Sequence, residues 1–526
     1  MFSLINIAIF FLWLVSAIID YADFCYLWQL KEYRWDRFRD FTSTYQGKTY
    51  WLKYRLLWRS IIAIGVAFWP INDALTVKYF LILLFVVDLG YNVWKLAKRK
   101  LLHPKPTAKA VLIIILSILI EGSIFVLTRD WNIFLILLII RFFVLSGMVI
   151  LLGKPTTLLK KRLIKKAKEK INRQTNLTVI GITGSYGKST VKRFLAHILS
   201  SQFRVIVTPG NINTEIGVAQ FILKNEFQTG DILIVEMGAY REGEIKMISD
   251  MVKPQIGILT AINEQHLSLF GNIRTTQRTK YELLRSLPAS GLAITNSDNF
   301  YCREFLPELP CAVATFGAEA DFQPTCLIKE IKASRHNLSF TLSLANQDWP
   351  FELPIIGEHQ VFNLAPCLLV AQHLGLSLET IRKSFSSLSS PIMIRHYGRC
   401  EIIDDSYNSN PNGFKAALDI LSKFPSEKKR IVITRGMLEL GEQSEEIHQQ
   451  IGGEISFMAD ELVIISPDNS PALQRGQVEK YRLNTICIYS PEKLVTYLRG
   501  LRDTEAVILL ENRLPSLAMQ EILTNG

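Results

Sequence analysis

The sequence predicts two parts: an α-helical transmembrane region, then an α/β portion. The α/β portion divides into a phosphate-loop central domain, with a mostly parallel sheet and an antiparallel insertion, and a Rossmann-like C-terminal domain. Three observations carry that reading. Apolar runs close to membrane-spanning length crowd the first 152 residues. Two blocks of short apolar runs alternating with helical patterns fill the rest. Between a strand-like run ending at Ile182 and the helix-like VKRFLAHILSS stands TGSYGKST, residues 183–190.

The apolar runs lie at about 4–30, 56–71, 78–97, 110–128 and 132–152 and predict about five spans. Arg59 and Pro70 interrupt the second, which leaves a re-entrant or interfacial segment as its alternative. The first run lacks a basic start and a small-residue cleavage site, which argues against a removed signal peptide. The chain has 59 Lys and Arg against 48 Asp and Glu, a net +11. Residues 1–175 hold 26 of those bases and only 10 of the acids, so the remainder is net negative. The positive charge therefore belongs to membrane topology rather than to a nucleic-acid footprint. Basic clusters at 31–39, 95–100 and 160–170 alternate with the links 71–77 and 128–131. The positive-inside rule then predicts an outside N-terminus, with everything after residue 152 in the cytoplasm. Seven cysteines with no CxxC pair fit reduced thiols and no structural zinc.

The expected domains are a membrane region over 1–153, a basic connector over 154–174, a central domain over 175–392 and a last domain over 393–526. In the central domain the runs VIGIT, RVIVT, DILIVE (231–236), IGILTAI (256–262) and GLAITN (291–296) alternate with helical segments. Between 310 and 356 the period changes to two, as in LSFTLSL, which predicts antiparallel strands. A second alternating block starts near 393 with EIIDDS, RIVIT, ELVIIS, TICIYS and AVILLE, and its strand ends are expected to face the first block across a cleft.

In TGSYGKST, Gly184 and Gly187 let the backbone turn its N–H groups inward. Lys188 can reach terminal phosphates, Ser189 can hold Mg²⁺, and the following helix adds its positive dipole end. A common phosphate loop has glycine five positions before the Gly-Lys pair, where this chain has Ile182. Glu236 closes a buried strand where a carboxylate can help hold Mg²⁺. Asn263, Glu264 and His266 share a turn after another strand, with Lys280 on the next helix. On spacing alone His266 is either a structural hydrogen-bonder or a ligand, and Lys280 is surface charge. GEHQVFN (357–363) starts like a helix cap. IDDSYNSNP (403–411) joins a strand to a helix, as an Asx-type cap or a ligand loop or both.

Taken in order, TGSYGKST, GNINTEIG (210–217), EMGAYREGEI (236–245), NEQH (263–266) with Lys280, NSDN (296–299), GEHQVFNLAP (357–366), IDDSYNSNP and GMLELGE (436–442) resemble the Mur ligase family of peptidoglycan synthesis. GNINTEIG, EMGA and GMLELGE resemble its D-alanyl-D-alanine-adding branch. The resemblance spans about residues 176 to 515 and implies an ATP-dependent ligase working through an acyl phosphate. It implies that Lys188 and the amides of Thr183, Gly184, Ser185, Tyr186, Gly187, Ser189 and Thr190 bind ATP, with Ser189 and Glu236 on one Mg²⁺. His266 would serve a second Mg²⁺ with Lys280 as a carbamylated lysine. Asn211 and Asn213 would line the acceptor's path, Asn296 and Asn363 would lie near the nucleotide, and Asp405, Tyr407 and Asn408 would close from the last domain.

The expected partners are a cell-wall precursor, an amino acid or dipeptide, and membrane lipid, with no nucleic acid. The membrane region occupies the place of the family's small UDP-sugar-binding domain, so the acceptor is UDP-linked or lipid-linked. Where the family has Gly-Asp and a Lys-Gly-Ser-Arg type end, this chain has Thr434-Arg435 and Glu511-Asn512-Arg513. Those departures leave room for another product, a poly-amino-acid capsule or an amidated lipid-linked glycan peptide. An ATP-driven transporter is the reading from a different class. It finds few buried acids in the first four apolar runs, chiefly Asp88 and Glu121, and no ABC-type signature between the phosphate loop and Glu236.

Overall fold

The computed structural model describes residues 4–43, 47–48, 59, 61, 74–97, 103–128, 130–210, 212–264, 267–345, 347–406, 410–481 and 483–525. The chain divides into two compact units, Met1–Lys161 and Arg162–Gly526.

Among its described residues the first unit holds four helices long and apolar enough to cross a membrane, beginning with Leu4–Leu30, Ala74–Ala97 and Ala108–Thr128. The fourth begins as Trp131–Leu151 and is followed at once by the basic helix Gly153–Asn172. The expected span at 56–71 lies outside the described residues except for Arg59 and Ile61. Ala17, Leu81, Ile113 and Leu145, one from each long helix, are fully buried in a common core.

Charged side chains also lie inside this unit. Arg141 donates to Asp20 Oδ2 at 2.8 Å through Nη1 and to Glu121 Oε1 at 2.8 Å through Nη2. Trp13 Nε1 and Tyr21 Oη donate to the two oxygens of Glu121 at 2.6 and 2.7 Å. Arg59 joins Asp20, at 2.6 Å, to Asp88. Each carboxylate meets a guanidinium, which is the condition under which such groups remain charged away from water.

The second unit contains two sheets. The first has nine strands in the order β2-β3-β1-β4-β5-β6-β7-β8-β9. These are β1 (Thr178–Thr183), β2 (Val205–Val207), β3 (Ile232–Glu236), β4 (Ile256–Leu259), β5 (Leu292–Asn296), β6 (Ala312–Gly317), β7 (Cys326–Ala333), β8 (Leu338–Leu344) and β9 (Gln347–Leu353). Neighbouring strands run parallel from β2 through β7, and β7 to β9 form an antiparallel meander at one margin. The expected insertion is thus a continuation of the same sheet.

The central strands are apolar throughout because helices cover both faces. Ile180, Ile182, Ile234 and Ile258 point into one buried cluster, and Val179, Leu233, Val235 and Leu259 into the other. β1 lies between β3 and β4. The chain leaves β1 for one side of the sheet and later returns on the other, so the loop after β1 sits where successive connections diverge, the usual crevice for a ligand.

The second sheet has six strands in the order β10-β11-β15-β12-β13-β14. These are β10 (Ile394–Tyr397), β11 (Cys400–Asp405), β12 (Lys429–Thr434), β13 (Glu461–Ile464), β14 (Asn484–Cys487) and β15 (Ala506–Glu511). All neighbours are parallel except the hairpin β10–β11. The last strand in sequence, β15, lies inside the sheet between β11 and β12. Its six residues are all buried, with Phe414, Leu418 and Leu421 in the core on one side and Leu494 and Leu498 in the core on the other.

Candidate active site

The loop after β1 gets its shape from two glycines. Gly184 has φ +148° and Gly187 φ +81°, a region that side chains with a Cβ rarely adopt. A Cβ on Gly184 would strike Thr260 Oγ1, and one on Gly187 would strike Asn363 Oδ1. Gly187 is also the N-cap of the helix Lys188–Leu199 and makes no side-chain cap, so the first helical N–H groups face the loop's concavity. The loop is pinned from behind. Ser185 N donates to Ala261 O at 2.8 Å, Asn263 N donates to Ser185 Oγ at 3.0 Å, and Thr183 Oγ1 donates to Met237 O at 2.9 Å. Thr260 donates to Tyr186 O. Ser185 thus gives both its hydroxyl and its N–H to the scaffold, which corrects the expectation that its amide faces a phosphate.

Parallel pairing of Ile182 with Glu236 brings the ends of β1 and β3 side by side. Ser189 Oγ then donates to Glu236 Oε2 at 2.9 Å, Lys192 Nζ lies 2.8 Å from the same oxygen, and Asn213 Nδ2 donates to Oε1 at 3.1 Å. Burial opposes the charged form of Glu236, but Lys188, Lys192 and Asn213 outweigh it and hold the carboxyl below its ordinary range. Lys188 Nζ donates to Gly184 O at 2.7 Å. Burial lowers its pKa, with Glu236 acting the other way.

Lys280 sits on the helix Ile273–Arg285, buried rather than on the surface, which corrects the reading from spacing alone. Among the described residues it forms no hydrogen bond or ion pair. Burial, and after it the like charge of Lys188, push its pKa well below that of a free lysine. A neutral buried amine beside another cation is a reactive nucleophile and a place where added negative charge would be stabilised.

Asn363 Nδ2 donates to Gln360 Oε1 at 3.0 Å on the helix that packs against Lys188–Leu199. Asn296, at the end of β5, accepts from Asp298 N at 2.8 Å. Asp405 ends β11 and is buried, and Thr190 is half-buried in the first turn after the loop. Asn211, His266, Tyr407 and Asn408 lie outside the described residues. The last domain meets the loop region directly. Asn263 Nδ2 donates to Asn410 Oδ1 and to Asn412 Oδ1, both at 3.3 Å, and Tyr186 hydrogen-bonds Asn412.

Spacing did not single out Lys192 or Thr260. A basic residue one helical turn after Lys188 shares its face and was the available signal. His359 was read within a cap, yet it is the N-cap of Gln360–His373 without a side-chain cap bond. Burial, outweighing the opposite effect of Glu358, pushes its pKa down to about 4.

The hydroxyl of Ser189 and the carboxylate of Glu236 are hard oxygen donors already in contact, a set that suits Mg²⁺. Among the described residues no group of three or more His, Cys, Asp or Glu forms a metal cluster. A metal held here would therefore complete its shell with phosphate and water.

Residues 182–371 match the Mur ligase middle domain, and residues 393–511 match the Mur ligase, glutamate ligase domain. The UDP-N-acetylmuramoyl-tripeptide–D-alanyl-D-alanine ligase of Bacillus subtilis is 27% identical over 321 residues, 60% of this chain and 68% of the relative. The Escherichia coli enzyme of the same name is 26% identical over 365 residues, 67% of this chain and 77% of its own. Among solved structures, MurF from Acinetobacter baumannii superposes with a TM-score of 0.62 at 25% identity, covering 69% of this chain and 80% of that one. MurF ligase from Thermotoga maritima in complex with ADP gives 0.60 at 25% identity, covering 69% and 82%.

Proposed function

Because the chain belongs to the Mur ligase family, carrying its middle domain and its glutamate ligase domain, we propose that it adds an amino acid or D-alanyl-D-alanine to a peptidoglycan precursor at the membrane, through an acyl phosphate. The observation that carries this reading is the contact of Ser189 with Glu236 beside Lys188, at the carboxyl ends of β1 and β3.

A carboxylate is a poor acyl donor. Transfer of the γ-phosphoryl group of ATP to it makes an acyl phosphate and leaves ADP. The incoming amine then attacks the acyl carbon, phosphate departs with the bonding pair, and the nitrogen loses a proton to give the amide.

In this reading the amides of residue 184 and residues 186–190 cradle the phosphates while Lys188 moves from Gly184 O onto the transferring group. Ser189 and Glu236 hold Mg²⁺, which supplies positive charge to the phosphoryl oxygens. His266 and a carbamylated Lys280 serve a second ion. Asn211 and Asn213 line the acceptor, Asn296 and Asn363 the nucleotide, and Asp405, Tyr407 and Asn408 close over the site and exclude water.

The four long apolar helices support a multi-pass membrane protein. With the N-terminus outside and the catalytic unit in the cytoplasm, where ATP is available, the acceptor is lipid-linked or is made at the membrane.

The deciding experiment incubates the full-length protein in lipid with ATP, Mg²⁺, D-alanyl-D-alanine and either a UDP-linked or a lipid-linked precursor, and reads products by mass spectrometry. An amide product with stoichiometric ADP is expected, and Lys188→Ala is expected to lower its rate at least about 100-fold. Full turnover by that variant overturns the mechanism. Exclusive use of the soluble acceptor overturns the lipid-linked assignment.

A further inference from the structure

At the carboxyl margin of the second sheet three strands end level. Asp405 of β11 pairs in register with Glu511 of β15, and Glu511 pairs in register with Thr434 of β12. In parallel strands residues in register point to the same face, so the carboxyl groups of Asp405 and Glu511 are lateral neighbours. Glu511 is completely buried and Asp405 is 5% exposed. Among the described residues no N–H or other donor reaches either oxygen of Glu511.

A carboxylate stripped of water and given no donor is among the costliest arrangements a fold can hold, and a second carboxylate beside it raises that cost. One proton shared between the two removes both penalties. It turns Glu511 into a donor and Asp405 into its acceptor.

We propose that Glu511, in its protonated form, is a positioning residue that holds the Asp405 carboxylate toward the crevice between the two sheets. Its activity consequence rests on the ligase reading, in which Asp405 closes over the nucleotide site from the last domain. The surroundings agree. Burial and then Asp405 push the Glu511 pKa well above that of a free carboxyl, through charge and a direct hydrogen bond. Thr434, on the opposite flank, is neutral and donates nothing to Glu511; its Oγ1 accepts from Gly436 N at 2.9 Å. The core on the face of β15 shared by Val507, Leu509 and, by alternation, Glu511 is apolar and holds Phe414 and Leu418, while the opposite core holds Leu494 and Leu498. Beyond the strand ends, Arg435 interacts with Asp468 and Arg513. Among the described residues Asp405 is thus the ionisable group that faces Glu511.

The sign of the pH effect follows. The native chain keeps a proton that the unfolded chain releases above about pH 4.3. The associated stability is whole below that value and is lost as pH rises toward the raised native value.

The test uses full-length wild type, Glu511→Gln and Glu511→Leu. The amide variant keeps a donor that cannot ionise, so it is expected to retain most of the activity and to lack an alkaline fall present in wild type. The leucine variant is expected to raise KM for ATP about tenfold with a smaller change in kcat. Equal activity of the two variants, or the same alkaline limb in wild type and Glu511→Gln, overturns the proposal. A second arm needs no activity: the thermal midpoint of wild type should fall with rising pH relative to Glu511→Gln. Parallel curves overturn the proposal. So does added K⁺ or Mg²⁺ that raises the midpoint of wild type alone at fixed pH, since the partner would then be a metal ion. Loss of ligase activity in wild type itself would remove the enzymatic reading while leaving this arm intact.

Discussion

Lys280 is a side chain whose surroundings define its chemistry better than its sequence position does. Its amine is buried with no counter-ion among the described residues and is kept from its proton by burial and by Lys188. In the proposed mechanism it needs a negative charge that only addition of CO₂ supplies. Lys280→Ala is therefore expected to lower kcat at least about 100-fold, with partial recovery when small carboxylic acids are added to the assay. Full activity of Lys280→Arg would remove the carbamate from the mechanism, because a guanidinium stays charged at any working pH. The pH sign is that of a depressed base: the reactive neutral amine persists above the lowered native value and is lost as pH falls through it. Lys188, Ser189 and Glu236 were legible in the sequence because each belongs to a contiguous pattern of strand, loop and helix. Lys192 and Glu511 were not. Lys192 looks like surface charge until β1 and β3 pair and bring it onto Glu236. Glu511 stands out in the sequence only as a departure from the family's ending, and its place beside Asp405 emerges when β15 enters between β11 and β12.

At the scale of elements, the turn after β12 is held by side chains from separate segments. Met437 N donates to His448 Nε2 at 2.9 Å, Asn469 Nδ2 donates to Met437 O at 3.1 Å, and Asn512 Nδ2 donates to Gly436 O at 2.6 Å. His448 accepts only while neutral, and burial depresses its pKa despite the opposing bond to the Ser444 backbone. Its contribution to stability is therefore complete above the free histidine value of about 6.5 and declines as pH falls below it. His448→Leu leaves a buried N–H unpaired and is expected to cost about 1–3 kcal/mol, read from the denaturant midpoint. A variant as stable as wild type would show that the turn does not need the imidazole. Strand and helix order was readable because buried parallel strands announce themselves as short apolar runs. The joining of β6 to β7 was not, since a change to period two marks new local geometry but carries no information on which strand lies alongside.

For the molecule as a whole, the buried ion pairs of the first unit govern how its helices associate. Glu121 receives Arg141, Trp13 and Tyr21 together, so Glu121→Leu removes a partner from a guanidinium with no exposed surface. The expected loss is about 3–5 kcal/mol. Eight of the nine tryptophans precede residue 132, so intrinsic fluorescence in lipid follows this unit almost alone, and an unchanged unfolding transition would sink the expectation. In the catalytic unit, the meander leaves β9 at the margin of the large sheet, with Pro350 opposite Thr341 and exposed Gln347, Asp348 and Glu352 along it. A proline has no N–H to offer a newcomer, and charge there resists being covered. This strand works as a selvedge. Were it unpicked by deleting residues 347–353, the freed LSFTLSL ribbon would present an open template, and copies of the enzyme would be expected to stitch into fibres whose light scattering grows with concentration.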